Sequence, residues 1–176
     1  MTTDTPPFSR PVHVHEIPGA GRTFNIATTG PERDAVARQL GLPGIAELTA
    51  KLTVIPFRKD GLAVSGTIHA RLTQTCVVSA DDFESTVEAP VDIRFSPDGK
   101  DPNADFDLAE LTNPDAEEPP DLLTGDAIDL GAIVTEFLAL ELDPYPRKPG
   151  VAFEGLGEDP ALSPFAALNA LKNKGK

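Results

Sequence analysis

The chain has little cysteine, few large aromatic side chains and no long apolar segment. It contains one cysteine, one tyrosine and no tryptophan. A single cysteine excludes a framework of intramolecular disulfides and is typical of a reducing compartment, so we expect a cytoplasmic protein. No run approaches the ~20 apolar residues that span a bilayer, and residues 1–12 lack the apolar core of a signal peptide. We therefore expect no membrane partner.

Sequence motifs of the common catalytic and cofactor sites are also missing. The chain has no Gly-x-Ser-x-Gly, no His-Glu-x-x-His and no glycine-rich phosphate loop, so we expect neither an enzyme nor a bound cofactor. On a strand His13 and His15 would point to the same side, a spacing that suits zinc, but zinc needs two further ligands. Only His69, Cys76 or carboxylates could supply them, which favours a polar surface pair over a metal site.

The single cysteine, Cys76, has the position of a core residue. It continues the inward-facing alternation of Leu72 and Gln74, as a small buried hydrophobic residue would. No basic residue lies close to it in the sequence to lower the pKa of its thiol, so we do not expect a reactive thiolate.

Negative charge dominates the composition. The net charge is −13, from 28 acidic and 15 basic residues. Such a charge opposes sequence-independent binding to DNA or anionic membranes, because that binding comes from Lys and Arg neutralising phosphates. Residues 97–121 hold nine acidic residues and five prolines, which predicts a flexible loop. Its spacing matches no calcium-binding loop, so a solvated acidic insertion is favoured over a cation site. Mimicry of nucleic acid towards a basic partner stays open.

Alternating apolar and polar residues predict an antiparallel sheet. In residues 62–73 every second side chain is apolar or small, the pattern of a half-buried strand. Residues 48–57 supply a hairpin partner across the turn-forming residues 59–61. A third strand, residues 83–95, follows a reversal at residues 79–82. Short strands are also expected at Val12 and Val14 and at Phe24 and Ile26.

Three segments have the features of helices. Residues 31–40 begin with proline and end before Gly41, and residues 163–171 begin with Ser-Pro. Between them, Asp129 can cap a helix whose apolar residues recur at spacings of three and four. The apolar face of this helix comprises Leu130, Ile133, Val134, Phe137 and Leu138.

A proline-rich turn follows the helix that Asp129 caps. Pro144 prevents Asp143 from continuing the helix, and later prolines keep the backbone extended. The next residues are Tyr145, Pro146, Arg147 and Lys148. A stiff turn with aromatic and basic side chains can recognise a partner, so we name these four as candidate partner contacts. The alternative is a helix end with a solvated exit.

The elements together predict an α+β fold. It consists of an antiparallel β-sheet meander, or a barrel-like closure of one, with three short-to-medium helices packed on one face or end. We expect residues 1–11 to be a flexible N-terminus. Residues 12–176 should form a single domain, which contains the acidic loop at residues 97–121 and a basic tail at residues 172–176.

Five segments in this order carry a family resemblance. They are FSRPVHVHEIP at residues 8–18, PERDAVARQLGLPGIAELTAKL at 31–52, GLAVSGTIHARLTQTCVV at 61–78, IDLGAIVTEFLALELDPYPRKPG at 128–150 and SPFAALNALK at 163–172. The set resembles the YceD-like family, the large ribosomal RNA subunit accumulation proteins, also described as a domain of unknown function. It looks most like the alphaproteobacterial branch of that family.

The resemblance also singles out positions whose role is unknown. They are Gln74, Cys76, Asp129, Asp143 and Pro144. Many family members carry a Cys-x-x-Cys pair at the end of the central strand. Here Cys76 matches the first position and Ser79 occupies the second, so a zinc or redox function is not carried over.

The function implied by the resemblance is that of a non-enzymatic accessory factor in biogenesis of the large ribosomal subunit, one that supports accumulation of large-subunit ribosomal RNA. The expected partners are ribosome assembly components: a basic ribosomal protein, or structured ribosomal RNA reached locally or indirectly. An alternative is an acidic interaction module that holds a basic ribosomal protein and shields its Lys and Arg before assembly.

Overall fold

Three long strands form the centre of the fold. The computed structural model describes residues 8–58, 60–98 and 119–152. In chain order its strands are β1 (Pro11–His13), β2 (Arg22–Ala27), β3 (Gly44–Phe57), β4 (Gly61–Thr75), β5 (Asp82–Ser96), β6 (Asp121–Leu122) and β7 (Ala127–Asp129). The helices are α1 (Gly30–Leu40) and α2 (Leu130–Glu141), with a short 3-10 turn at Val14–Glu16. Neither helix is long and apolar enough to cross a membrane.

The predicted meander is confirmed. Strands β3, β4 and β5 pair antiparallel in sequence order, and β4 lies in the middle. Ile68 lies opposite Ala50 on one side and Ala89 on the other, and its side chain is fully buried. The even-numbered residues of β4 face the core, as the alternation predicted, because successive side chains of a strand point to opposite faces.

The sheet also departs from a simple antiparallel meander. Its full order is β2-β3-β4-β5-β6, and β6 pairs parallel to β5. The two edge strands, β2 and β6, do not pair with each other, so the barrel-like alternative is wrong for the described strands. Strand β1 pairs instead with β7 in a separate two-stranded sheet. Val14, predicted to be in a strand, lies in the 3-10 turn that follows β1.

Both described helices lie close to their predicted positions. Helix α1 ends at Gly41, which adopts the left-handed conformation (φ 67°) that glycine tolerates and a side chain resists. Helix α2 buries its predicted apolar face against the same hydrophobic core as β4 and α1. The third predicted helix, the basic tail and most of the acidic loop lie outside the described residues, so the structure describes two of the three expected helices.

The N-terminal segment packs across the start of α2. Phe8 is buried, so the packed chain begins earlier than the expected flexible N-terminus allowed. A side chain at Gly131 would collide with the backbone carbonyl of Phe8, which explains a glycine in the first turn of α2. This crossing fixes the position of β1 beside β7.

Candidate interaction site at the end of the central strand

The site begins where β4 ends and the chain reverses into β5. The Cys76 N–H donates to the Asp81 carbonyl (2.8 Å), and the Ala80 N–H donates to the Cys76 carbonyl (2.9 Å). Ala80 adopts a left-handed conformation (φ 58°) to complete the reversal. The neighbouring pair, Thr75 and Asp82, is joined through its side chains, because the Thr75 hydroxyl donates to the Asp82 carboxylate (2.8 Å). Both backbone polar groups of Cys76 are therefore used inside this reversal.

A second segment meets this reversal from the end of α2. The helix stops at Glu141, two residues before Asp143, and Leu142 is already extended (φ −67°, ψ 130°). The Tyr145 N–H donates to the Asp143 carboxylate (2.8 Å), an arrangement that stabilises a tight turn. The predicted helix stop is confirmed, and Asp143 and Pro144 together shape the chain direction after it. We call residues 143–150 the docked turn.

Three contacts hold the docked turn against the end of β4. The Val77 N–H donates to the Pro146 carbonyl (2.9 Å), and the Lys148 N–H donates to the Cys76 sulfur (3.3 Å). The Lys148 ammonium lies 3.6 Å from the Asp81 carboxylate. Two of these contacts use the backbone of the docked turn, so its position does not depend on one flexible side chain. The structure thus brings Cys76, a family-motif position, into contact with Lys148, a candidate contact residue 72 positions away in the chain.

The Cys76 thiol differs from the sequence-based expectation in its protonation. Its burial is confirmed, at 1% exposure. However, hydrogen bonds from the Lys148 N–H, then from the hydroxyl and N–H of Ser79, lower its pKa to about 6, although burial opposes the shift. The expectation rested only on the lack of a basic residue close in sequence, and the lowered pKa has another source. Backbone donors, rather than a basic side chain near in sequence, stabilise the thiolate.

The four candidate contact residues divide into two pairs. Tyr145 is 70% exposed, and Arg147 is exposed beside it. Pro146 and Lys148 are half-buried and make the contacts that hold the turn. The turn therefore displays an aromatic ring and a guanidinium on a backbone that is held by hydrogen bonds to the end of β4. Val77, 52% exposed, extends the apolar part of this surface.

The charge around the docked turn is mixed rather than basic. Lys148 is already paired with Asp81. The exposed carboxylates of Asp82, next to Asp81 in the sequence, and of Asp143, two residues before Tyr145, add negative charge. The described residues of this turn therefore do not form the cluster of positive side chains that binds phosphate. An arginine with a neighbouring aromatic ring suits a protein surface, where both residue types are enriched in binding hot spots.

Two other family-motif positions have structural roles that the structure defines. Gln74 is buried, and its side-chain carbonyl accepts a hydrogen bond from the Ser85 hydroxyl (2.8 Å). Asp129 lies at the opposite end of α2, about 18 Å of helix away from the docked turn. Its carboxylate accepts hydrogen bonds from the N–H groups of Gly131 (2.8 Å) and Ala132 (3.3 Å), so the predicted helix cap is confirmed.

The sequence singled out these residues but not their association. The inward-facing alternation that includes Cys76 and the proline-rich turn at Tyr145 were both predicted from the sequence. No local pattern indicates that the Lys148 N–H reaches the Cys76 sulfur. Within the described parts of the chain, Cys76 has no companion His or carboxylate group arranged as metal ligands. The arrangement places an exposed aromatic ring and an exposed guanidinium on a backbone that is held against the end of β4.

One comparison with protein families gives a match. A family model described as "Large ribosomal RNA subunit accumulation protein YceD" matches residues 64–172, which include most of β4, all of α2 and the docked turn. No curated protein and no solved structure matches the chain.

Proposed function

The chain belongs to the YceD family of large ribosomal RNA subunit accumulation proteins, and we propose that it is a non-enzymatic accessory factor in assembly of the large ribosomal subunit. In this proposal the docked turn is the contact surface, and a protein component of the assembling subunit is its direct partner. Accumulation of large-subunit ribosomal RNA then follows from the stability of the assembly intermediate.

The observation that carries the proposal is the display of Tyr145. Its ring is 70% exposed, although the backbone on both sides of it is fixed by the Asp143 carboxylate and by the Pro146 carbonyl. Binding costs less conformational entropy when the contact residue is held in place beforehand. A tyrosine also supplies a large contact area with only two side-chain torsions to immobilise. These are properties of an anchor residue at a protein interface.

Charge supports a protein rather than naked RNA as the direct partner. The net charge of −13 repels phosphate, and Asp81 already neutralises Lys148 in the docked turn. Arg147 alone would release few counterions from RNA, so RNA affinity through this turn would be weak. A basic ribosomal protein, by contrast, would be attracted by the overall charge of the chain. Structured ribosomal RNA remains the second partner class.

A specific surface also supports the alternative of an acidic holder for a basic ribosomal protein. Three carboxylates recur along the exposed face of β5, at Glu84, Glu88 and Asp92. At about 3.4 Å per strand residue, neighbouring members of this row are about 14 Å apart. Such a row could pair with Lys and Arg of a client without any contribution from the docked turn.

A double variant tests the docked turn as the working surface. Tyr145→Ala with Arg147→Glu removes the exposed ring and reverses the exposed charge, while the contacts made by Pro146 and Lys148 stay in place. We expect a folded protein and a reduced level of mature large-subunit ribosomal RNA in cells that carry only this variant. Large-subunit RNA and particle profiles on sucrose gradients are the measurements.

A matched control changes another exposed apolar side chain, on β3, and another exposed arginine, on β2. Ile55 is 45% exposed, and Arg22 is exposed on the neighbouring strand, paired with the adjacent Val54. Ile55→Ala with Arg22→Glu makes the same kind of change far from the docked turn in sequence, and large-subunit RNA should stay normal. Normal RNA in the Tyr145/Arg147 variant would show that the docked turn is not the working surface.

Partner identification separates the two functional alternatives. Tagged wild-type chain and the double variant are cross-linked in cells, and the captured proteins and RNA are both identified. Loss of a ribosomal or assembly protein with the double variant supports docking through Tyr145. Retention of a basic ribosomal protein by the double variant, with loss after Glu84→Lys and Glu88→Lys, supports the acidic holder instead.

A further inference from the structure

Two histidines and an aspartate meet at the pairing of β1 with β7. His13 lies opposite Ala127 in this two-stranded sheet, and the Val14 N–H donates to the Asp126 carbonyl (2.9 Å). These backbone contacts place Asp126 beside the first histidine although 113 positions separate them in the chain. The His13 Nδ1 atom lies 3.3 Å from the Asp126 carboxylate.

The second histidine reaches the same place through the 3-10 turn. After β1 the chain tightens at Val14–Glu16, and the Ile17 N–H donates to the Val14 carbonyl (3.2 Å). This turn leaves the rings of His13 and His15 with centroids 5.3 Å apart and planes tilted by 36°. One ligand atom from each of His13, His15 and Asp126 then lies within 4.8 Å of the other two. The structure therefore brings a third donor, Asp126, close to the two histidines that the sequence offered.

The distances suit a metal ion after a small closure. Zinc binds histidine nitrogen and carboxylate oxygen at about 2.0–2.2 Å, so the ligand atoms of a tetrahedral site lie about 3.4 Å apart. The closest pair here, His13 and Asp126, is already at 3.3 Å. Asp126 and His15 are exposed and His13 is half-exposed, so their side chains can rotate by the remaining ångström without disturbing the core.

We propose that His13, His15 and Asp126 form a binding site for a divalent cation of the zinc class. Two imidazoles and one carboxylate are the donors that Zn²⁺ accepts in three-ligand sites, with water completing the coordination. The same donors disfavour Mg²⁺ and Ca²⁺, which prefer oxygen ligands throughout. The site lies on the β1–β7 pair, apart from the docked turn, and the proposal does not depend on the proposed function.

The ligand that sequence reasoning lacked is the aspartate. His13 and His15 alone provide two donors, and the further ligands considered from the sequence were His69, Cys76 or unspecified carboxylates. In the structure His69 faces Glu88 across β4 and β5 (3.7 Å), and Cys76 is held by the docked turn. The loop before β7 instead supplies the third donor, through a strand pairing that no local pattern reveals.

The site has a structural consequence when it is filled. A bound ion would link β1 and the 3-10 turn to the loop that leads into β7 and α2. Because the unfolded chain lacks this arrangement, metal binding should favour the folded state. We therefore expect the melting temperature to rise with Zn²⁺ concentration, and the binding isotherm to saturate at one ion per chain.

The test uses the full-length chain without a polyhistidine tag, since a tag would bind the same ions. Isothermal titration with Zn²⁺ and with Mg²⁺ measures stoichiometry and affinity, and melting curves are recorded over the same concentrations. Co²⁺ replaces Zn²⁺ for spectroscopy, because its visible absorption reports coordination number. A thiolate charge-transfer band would reveal Cys76 as a ligand.

Two site variants and two controls make the test specific. His15→Gln and Asp126→Asn each remove one ligand from exposed positions. Loss of even an outer-shell partner commonly weakens metal binding by roughly 10–100-fold, so each of these changes should weaken Zn²⁺ binding by at least ~10-fold. His69→Gln is the matched control, because His69 is an exposed imidazole that also faces a carboxylate. Cys76→Ser controls for the thiol.

The expected result is one Zn²⁺ per chain, little response to Mg²⁺, a Co²⁺ spectrum without a thiolate band, and loss of binding in the two site variants alone. Equal binding by wild type, His15→Gln and Asp126→Asn would overturn the proposal, because the ion would then be held elsewhere, for example by the many carboxylates. A thiolate band, or loss of binding in Cys76→Ser, would assign the ion to Cys76 and also overturn it. Absence of any one-to-one Zn²⁺ binding would do the same.

Discussion

Replacing Asp129 by alanine should be among the most destabilising single changes at a polar position of this chain. Its carboxylate accepts four hydrogen bonds: from the N–H groups of Gly131 and Ala132 at the start of α2, from the Arg10 N–H (2.7 Å) and from the Ser9 hydroxyl (2.6 Å). It therefore caps the helix and fastens the N-terminal segment to it. Asp129→Ala breaks both connections.

The magnitude follows from these bonds. Loss of a helix N-cap costs about 1 kcal/mol, within a range of roughly 0.5–2. Each of the two bonds from the N-terminal segment adds about 1 kcal/mol, the contribution of an ordinary hydrogen bond, because the site is only partly buried. We expect a loss of about 3 kcal/mol from a total of ~5–15, or a fall in melting temperature of roughly 6–12 °C.

Urea denaturation followed by circular dichroism is the suitable assay, because the chain has no tryptophan and one tyrosine for fluorescence. Asp129→Asn is the matched control: its amide oxygen can still cap α2, and the Ser9 hydroxyl can reverse to accept a bond from the amide nitrogen. It should cost about 1 kcal/mol or less. The double change Ser9→Ala with Asp129→Ala should cost less than the two single changes added together. If the free energy of unfolding of Asp129→Ala lies within about 0.5 kcal/mol of the wild-type value, the carboxylate does not hold these elements together.

Two further changes test the core and the cysteine, alongside the tests of the docked turn and of the metal site. Ile68→Asp should unfold the chain, because it buries an unpaired carboxylate at the centre of β4 at a cost of several kcal/mol. The control variant Thr67→Asp should fold, because position 67 lies opposite Lys51 on the other face of the sheet. A native melting curve for Ile68→Asp would contradict the placement of β4. Thiolate absorbance should titrate near pH 6 in the folded chain. Because the pKa of folded Cys76 lies below its ordinary 9.0, the stability contributed by the thiolate is complete above pH 9 and is lost as the pH falls through about 6. The stability difference between wild type and Cys76→Ser should follow that trend, and a difference that is constant over this range would refute the lowered pKa.

Local patterns in the sequence determined the principal elements. The alternation in residues 62–73 and 83–95 lies within β4 and β5, and the apolar spacing after Asp129 gave the buried face of α2. These predictions succeeded because the period of side chains along a strand or helix is a property of the backbone and is written in neighbouring residues. The helix ends at Gly41 and before Pro144 were predictable for the same reason, since each depends on the conformations open to one residue.

Only the tertiary structure decided which distant segments meet. The pairing of β1 with β7, the parallel addition of β6, and the contact between Lys148 and Cys76 each join residues far apart in the chain. Short strands such as β1 and β7 have too few residues for a pattern to specify a partner, so their pairing follows from the packing of the N-terminal segment across α2. The same packing brings Asp126 to His13, whereas the docked turn brings a backbone N–H to the Cys76 sulfur. The sequence by itself determined the helices and strands and showed which side chains have functional groups. Long-range packing determined which of those side chains lie together.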